Sequence, residues 1–172
     1  VEAGVRAAAS IADKALTENR SVGMTVNGHR MAILPADRGG RQHLKIMQLL
    51  AAVEADASSP LVETLIATVG RLRRGMTAVI ITASLDPAWV RPLAALRTRG
   101  VACVVVTVDA PAYAKVAASA LAASTGDSVQ PDTEAEEMAA KRMRALRHAL
   151  AEYELRSYTI TPGKALGEVL AR

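Results

Sequence analysis

The chain of 172 residues contains no phenylalanine, one tryptophan and three tyrosines, so aromatics make up 2% of it. Its core must be assembled from Ala, Val, Leu, Ile and Met, and alanine-rich helix faces are expected to approach a sheet closely. So few aromatic rings also argue against gripping single-stranded nucleic acid by base stacking. The one cysteine, Cys103, lies inside an apolar run. This excludes an intrachain disulfide framework, fits a reducing compartment and reads as packing rather than as a nucleophile. The three histidines offer Cys103 no evident base: His29 falls at a hairpin turn, His43 near a helix start and His148 on a charged helix face. Neither a G-x-G-x-x-G fingerprint nor a Walker lysine pattern is present. Nothing within these residues resembles a secretory signal, and the apolar runs are of strand length, far below the roughly 20 residues of a membrane span. An initiator methionine is also lacking; the chain opens at Val1 already in helical phase and reads as a piece of a longer protein.

What is present points to alternating strands and helices. Hydrophobic residues make up 51% of the chain and the formal net charge is +4, with pI near 9.6. That charge falls short of the clustered field of a dedicated nucleic-acid binder. One domain spanning 1–172 accommodates this length. Within MTAVIITASLDPAW (Met76 to Trp89), Ala78 to Thr82 predicts a buried strand. Asp86-Pro87 then supplies an N-cap followed by proline at the first helical position. VACVVVTV (Val101 to Val108) repeats the pattern, apolar on both alternating faces as a parallel strand covered by helices on each side requires.

In chain order, Val1, Val5, Ala8, Ala12, Ala15 and Leu16 form the apolar side of an opening helix. Asn27-Gly28 between SVGMTV and HRMAIL predicts an antiparallel hairpin of Ser21 to Val26 with His29 to Leu34. PADRGG (Pro35 to Gly40) reads as a turn and Arg41 to Ala55 as a helix. A second helix is expected from Ser59-Pro60 to Gly75, with Arg73 and Arg74 in its last turn. Pro87 to Thr98 is read as a helix stopped by Gly100, and Tyr113 to Ala123 as another. STGDSVQPD (Ser124 to Asp132) reads as a loop. Thr133 and Glu136 suggest a capping box opening a helix with Met138, Arg142, Leu146, Ala149 and Tyr153 along one side. Arg156 to Ile160 predicts a last strand and Lys164 to Ala171 a closing helix.

Four groups of residues invite a chemical reading. Gly39-Gly40 with Arg38 and Arg41 resembles a phosphate cradle, though an ordinary helix entry has the same composition. The cations Arg71, Arg73, Arg74, Lys141, Arg142, Arg144 and Arg147 suit nucleic acid or an acidic protein, or a solvated face. Thr82, Ser84 and Asp86 stand at the carboxyl end of the central strand, where open α/β sheets bind ligands and where oxygen side chains can hold Mg2+. Cys103 is the fourth, read as structural above.

The residues AAASIA (Ala7 to Ala12), VGMTVNG (Val22 to Gly28), LPADRGGRQ (Leu34 to Gln42), LLAAVEAD (Leu49 to Asp56), SSPLVETL (Ser58 to Leu65), LRRGMTAVIITASLDPAWV (Leu72 to Val90) and LRTRGVACVVVTVD (Leu96 to Asp109) resemble a bacterial family, the domain of unknown function fifty-eight. Its C-terminal half is a von Willebrand factor A-like domain. The resemblance implies a three-layer α/β fold with a Rossmann-like, mostly parallel sheet and an antiparallel edge hairpin. It also implies association with MoxR-type AAA+ ATPases, and a parent protein anchored in the membrane upstream with this segment on the cytoplasmic face. In metal-binding members the site combines an Asp-x-Ser-x-Ser loop, a Thr from a second loop and an Asp in a Thr-Asp-Gly turn. Here the first motif is absent, Ser59 stands at the second-loop position, and Thr82-Ala83-Ser84 puts Ala83 where the carboxylate belongs. A complete metal site is therefore not expected, and no cofactor or catalytic residue is assigned. The leading expectation is a non-enzymatic adaptor that captures a protein partner through Ser59, Ser84 and Asp86. The alternatives are a divalent-metal-dependent phosphate-ester hydrolase near Asp86 and a basic nucleic-acid-binding module.

The family's strand order places its first strand, here missing, between Ser21 to Val26 and Thr77 to Thr82. The expectation is that an upstream segment or a second copy fills that gap. Each open buried backbone group would cost about 1 to 3 kcal/mol, so the gap must be filled or closed. Direct pairing of the two flanking strands is the second choice, because it would shift the helices that cover them.

Overall fold

A computed structural model describes residues 1–28, 30–54, 60–125, 133–164 and 166–170. The chain is a mixed α/β protein of two compact units, Val1–Arg73 and Arg74–Arg172. Among the described residues no helix is long and apolar enough to cross a membrane.

The first unit begins with α1 (Glu2–Thr17), whose end at Asn19 adopts a left-handed φ of 59°. The hairpin of β1 (Val22–Asn27) and β2 (Met31–Asp37) follows, then α2 (Gly39–Ala51) and α3 (Leu61–Val69). The strands pair antiparallel as expected, from Asn27 opposite Met31 to Met24 opposite Leu34, but Asn27 belongs to the ladder rather than to a two-residue turn with Gly28. Ala12 and Leu16 of α1 meet Ile46 and Leu50 of α2 in a core that Met24 and Leu34 extend toward the hairpin. β2 runs through Pro35 to Asp37, residues expected to form a turn. The register shifts between Met24 and Val22, opposite Pro35 and Ala36, and a bulged edge tolerates a residue without an N–H. Gly23 makes this close approach possible: a Cβ there would lie 2.9 Å from the Ala36 nitrogen.

The second unit holds β3 (Thr77–Thr82), a 3-10 turn (Pro87–Trp89), α4 (Val90–Thr98), β4 (Ala102–Val108), α5 (Ala110–Thr125), α6 (Thr133–Glu152), β5 (Arg156–Ile160) and α7 (Leu166–Leu170). Its sheet is parallel, in the order β3-β4-β5. Central β4 buries Cys103, Val105, Val106, Thr107 and Val108, so both of its faces are covered. Trp89, Val90, Leu93 and Leu96 line the α4 side of the core. Gly100, at φ 76°, ends α4 in the left-handed conformation that glycine adopts without strain.

Several boundaries differ from expectation. Instead of one sheet with an edge hairpin, there is a three-stranded parallel sheet and a separate two-stranded one. β1 and β3 are not paired with each other, so the second-choice closure of the gap is not adopted. α2 begins at Gly39 and stops at Ala51, and α3 ends at Val69, leaving Arg73 and Arg74 outside any helix. Gly70 supplies the earlier stop. On α6 Met138 is exposed, and Leu146 and Leu150 form the buried stripe, one helical turn apart. Glu136, expected to serve a capping box, accepts from Lys115 Nζ at 3.0 Å. The loop expected over 124–132 lies mostly outside the described residues.

Candidate functional site

At or near the carboxyl ends of β3, β4 and β5 stand Thr82, Ser84 and Asp86, Thr107 and Asp109, and Thr159. After β3 the chain turns through a ladder of short-range bonds. The Ser84 amide donates to Thr82 Oγ1 at 3.0 Å and the Asp86 amide to Ser84 Oγ at 3.4 Å. The Ala88 amide then donates to Asp86 Oδ1 at 3.0 Å. Asp86 is therefore the N-cap expected from Asp-Pro, ahead of Pro87. Its side chain is exposed and Ser84 is half-buried, so the second carboxylate oxygen faces solvent within a turn of fixed shape.

After β4, Asp109 Oδ1 caps α5 by accepting from the Ala112 amide at 3.1 Å, while the Asp109 amide donates to the Ile160 carbonyl. Thr107 Oγ1 donates to the Tyr158 carbonyl at 3.1 Å and lies 3.0 Å from Thr159 Oγ1. Its single proton is committed to the carbonyl, so in the hydroxyl pair Thr159 is the donor. These threonines thus lock β4 to β5.

Of the three expected partner-binding residues, the structure holds Ser84 and Asp86 on one turn, and Ser59 lies outside the described residues. Among the described residues no group of three His, Cys, Asp or Glu side chains is arranged to hold a metal ion. Comparison with protein families, with curated proteins and with solved structures finds no match to this chain.

Of the remaining candidates, Cys103 and His43 are accounted for by local chemistry, and Gly39, Gly40 and Arg41 form the first turn of α2 behind Arg38. Cys103 is buried, with Sγ 3.7 Å from the Leu93 carbonyl, and burial raises its pKa although Arg97 nearby lowers it. The thiol stays protonated near neutral pH and is a poor nucleophile. His43 Nε2 pairs with Asp13 Oδ1 at 3.1 Å, tying α2 to α1. His29 lies outside the described residues, and His148 is exposed on α6 beside the exposed Lys141, Arg142, Arg144 and Arg147.

One polar residue with a structural role escaped the sequence reading. Gln42 is 1% exposed, and its Nε2 donates to the Val22 carbonyl at 2.7 Å and the Pro35 carbonyl at 2.8 Å. Both amide protons are used, holding the bulged end of the hairpin to α2. Its signal was a polar residue in phase with Ile46 and Leu50 on an otherwise apolar stripe.

Proposed function

We propose that the chain is a non-enzymatic, von Willebrand factor A-like interaction domain that captures a protein partner, a MoxR-type AAA+ ATPase, through the turn after β3. The supporting observation is the Asp86 carboxylate: one oxygen is tied to the Ala88 amide and the side chain remains exposed. A carboxylate so fixed loses little freedom when a partner's cation or amide binds it. Ser84, on the same turn, and Ser59 complete the contact in this reading. The domain also takes up a further strand, from an upstream segment or a second copy, along β3, which among the described residues pairs with β4 alone.

Replacing Ser59 and Ser84 by alanine and Asp86 by asparagine tests the contact. Asparagine caps a helix about as well as aspartate, so stability should change little while the charge is lost. Capture of a cognate MoxR-type ATPase on an affinity resin should fall at least about tenfold, the size of one lost charge-assisted hydrogen bond. Undiminished capture by a folded triple variant would refute the reading.

A further inference from the structure

A cavity of about 530 Å3 lies against β5, touching Arg156, Ser157, Tyr158 and Thr159 in succession together with Lys164 and Glu168 near and on α7. Successive side chains of a strand point to opposite faces, so a cavity touching four in a row runs along the strand's edge. This is the side of β5 away from β4, and among the described residues β5 pairs with β4 alone.

The backbone directions follow from the bonds on the other side. The Ile160 carbonyl accepts from the Asp109 amide and the Tyr158 carbonyl from Thr107 Oγ1, so Tyr158 and Ile160 direct their backbone groups toward β4. In a parallel ladder the alternate residues direct theirs the opposite way. Ser157 and Thr159 therefore present N–H and C=O groups to the cavity, about 6.6 Å apart as strand geometry dictates.

Donor and acceptor pairs at that spacing match an extended chain, and an exposed sheet edge is the arrangement used for strand addition. The rim carries two exposed cations, Arg156 and Lys164, against one exposed carboxylate, Glu168. Neither cation has an ion-pair partner among the described residues. The volume is that of a working ligand site.

We infer that β5 binds an acidic peptide in extended conformation, added as a fourth strand between β5 and α7. Ser157 and Thr159 supply the main-chain bonds, and Arg156 and Lys164 select negative side chains. The site is separate from the Ser84–Asp86 turn, so the two readings fail independently.

The probe is a fluorescein-labelled peptide, Glu-Val-Thr-Val-Glu-Val, compared with its Lys-Val-Thr-Val-Lys-Val counterpart by anisotropy. The acidic peptide should bind at least about tenfold more tightly than the basic one, as expected of strand addition steered by charge. On binding, amide exchange at Ser157 and Thr159 should slow while that at Tyr158 stays unchanged. Ser157→Pro removes one outward N–H at an edge where proline is tolerated, and should abolish binding. Lys164→Glu, on the exposed rim, should weaken binding about tenfold and serves if the proline variant does not fold. The variant S84A/D86N should bind the peptide as the parent does. No binding of the acidic peptide at millimolar concentration, binding that Lys164→Glu leaves intact, or complete displacement by inorganic phosphate would each overturn the assignment.

Discussion

Trp89→Ala is expected to lower the stability of the Arg74–Arg172 unit by about 3 to 5 kcal/mol, the cost of deleting a large buried aromatic side chain. Trp89 is 1% exposed, on the turn between β3 and α4, and both α4 and α6 pack against that turn. The chain has no phenylalanine to fill the space, and the neighbouring Val90, Leu93 and Leu96 are already buried. The indole Nε1 is buried without an acceptor among the described residues. Trp89→Phe therefore removes an unpartnered donor along with part of the volume, and should cost no more than about 2 kcal/mol. Urea unfolding followed by far-ultraviolet circular dichroism measures both. If the alanine variant came within about 1 kcal/mol of the parent, the turn could not be the packed element described.

Gln42→Leu should destabilise the first unit by about 2 to 3 kcal/mol, although leucine is the more hydrophobic residue. Two carbonyls, of Val22 and Pro35, lose their donor together, and leaving acceptors unsatisfied costs more than a made hydrogen bond contributes. Gln42→Glu should be worse near neutral pH, because it sets a carboxylate against those same carbonyls in a buried position. Amide exchange gives the local readout: β1 and β2 residues near the bulge should exchange faster in both variants, while the Asn27 end is unaffected. Equal protection along the whole hairpin would show that Gln42 does not hold it.

The elements most legible in the sequence were those whose own residues suffice to specify them. β3, β4 and β5 were placed to within a residue, since a run such as VACVVVTV has no polar face to set against solvent and must be a covered strand. Asp86-Pro87 and Gly100 each mark the turn expected. Asn27-Gly28 marks the hairpin but not its turn type, because Asn27 stays in the ladder opposite Met31 and does not take the positive φ of a two-residue turn. Boundaries failed where the competing signal was tertiary. Leu72 keeps the helical phase of α3, yet the helix stops at Val69 before Gly70. Pro35 reads as a turn but sits in a bulged strand edge that Gly23 allows to close and Gln42 holds. Of the candidate site, the Asp86 cap was readable because its partner is two residues away. The β5 groove was not, because it depends on how α7 and β5 pack.

The two sheets also differ in how far apart along the chain their partners lie. The hairpin closes over about four residues, whereas β4 meets β5 only after about 50 residues have been looped out, and contacts of such range form slowly. The antiparallel pair should accordingly be in place early in refolding, with the parallel sheet the late and rate-limiting event. Pulse-labelled amide exchange would detect this as protection at Thr25 and Ile33 preceding protection at Val106 and Tyr158; simultaneous protection would mean that one cooperative step builds both. During synthesis on the ribosome, β3 and β4 would therefore wait with an open flank until α6 and β5 emerge. That interval, more than any weakness of the finished fold, is when the apolar TAVIIT and ACVVVTV segments are exposed to misassociation.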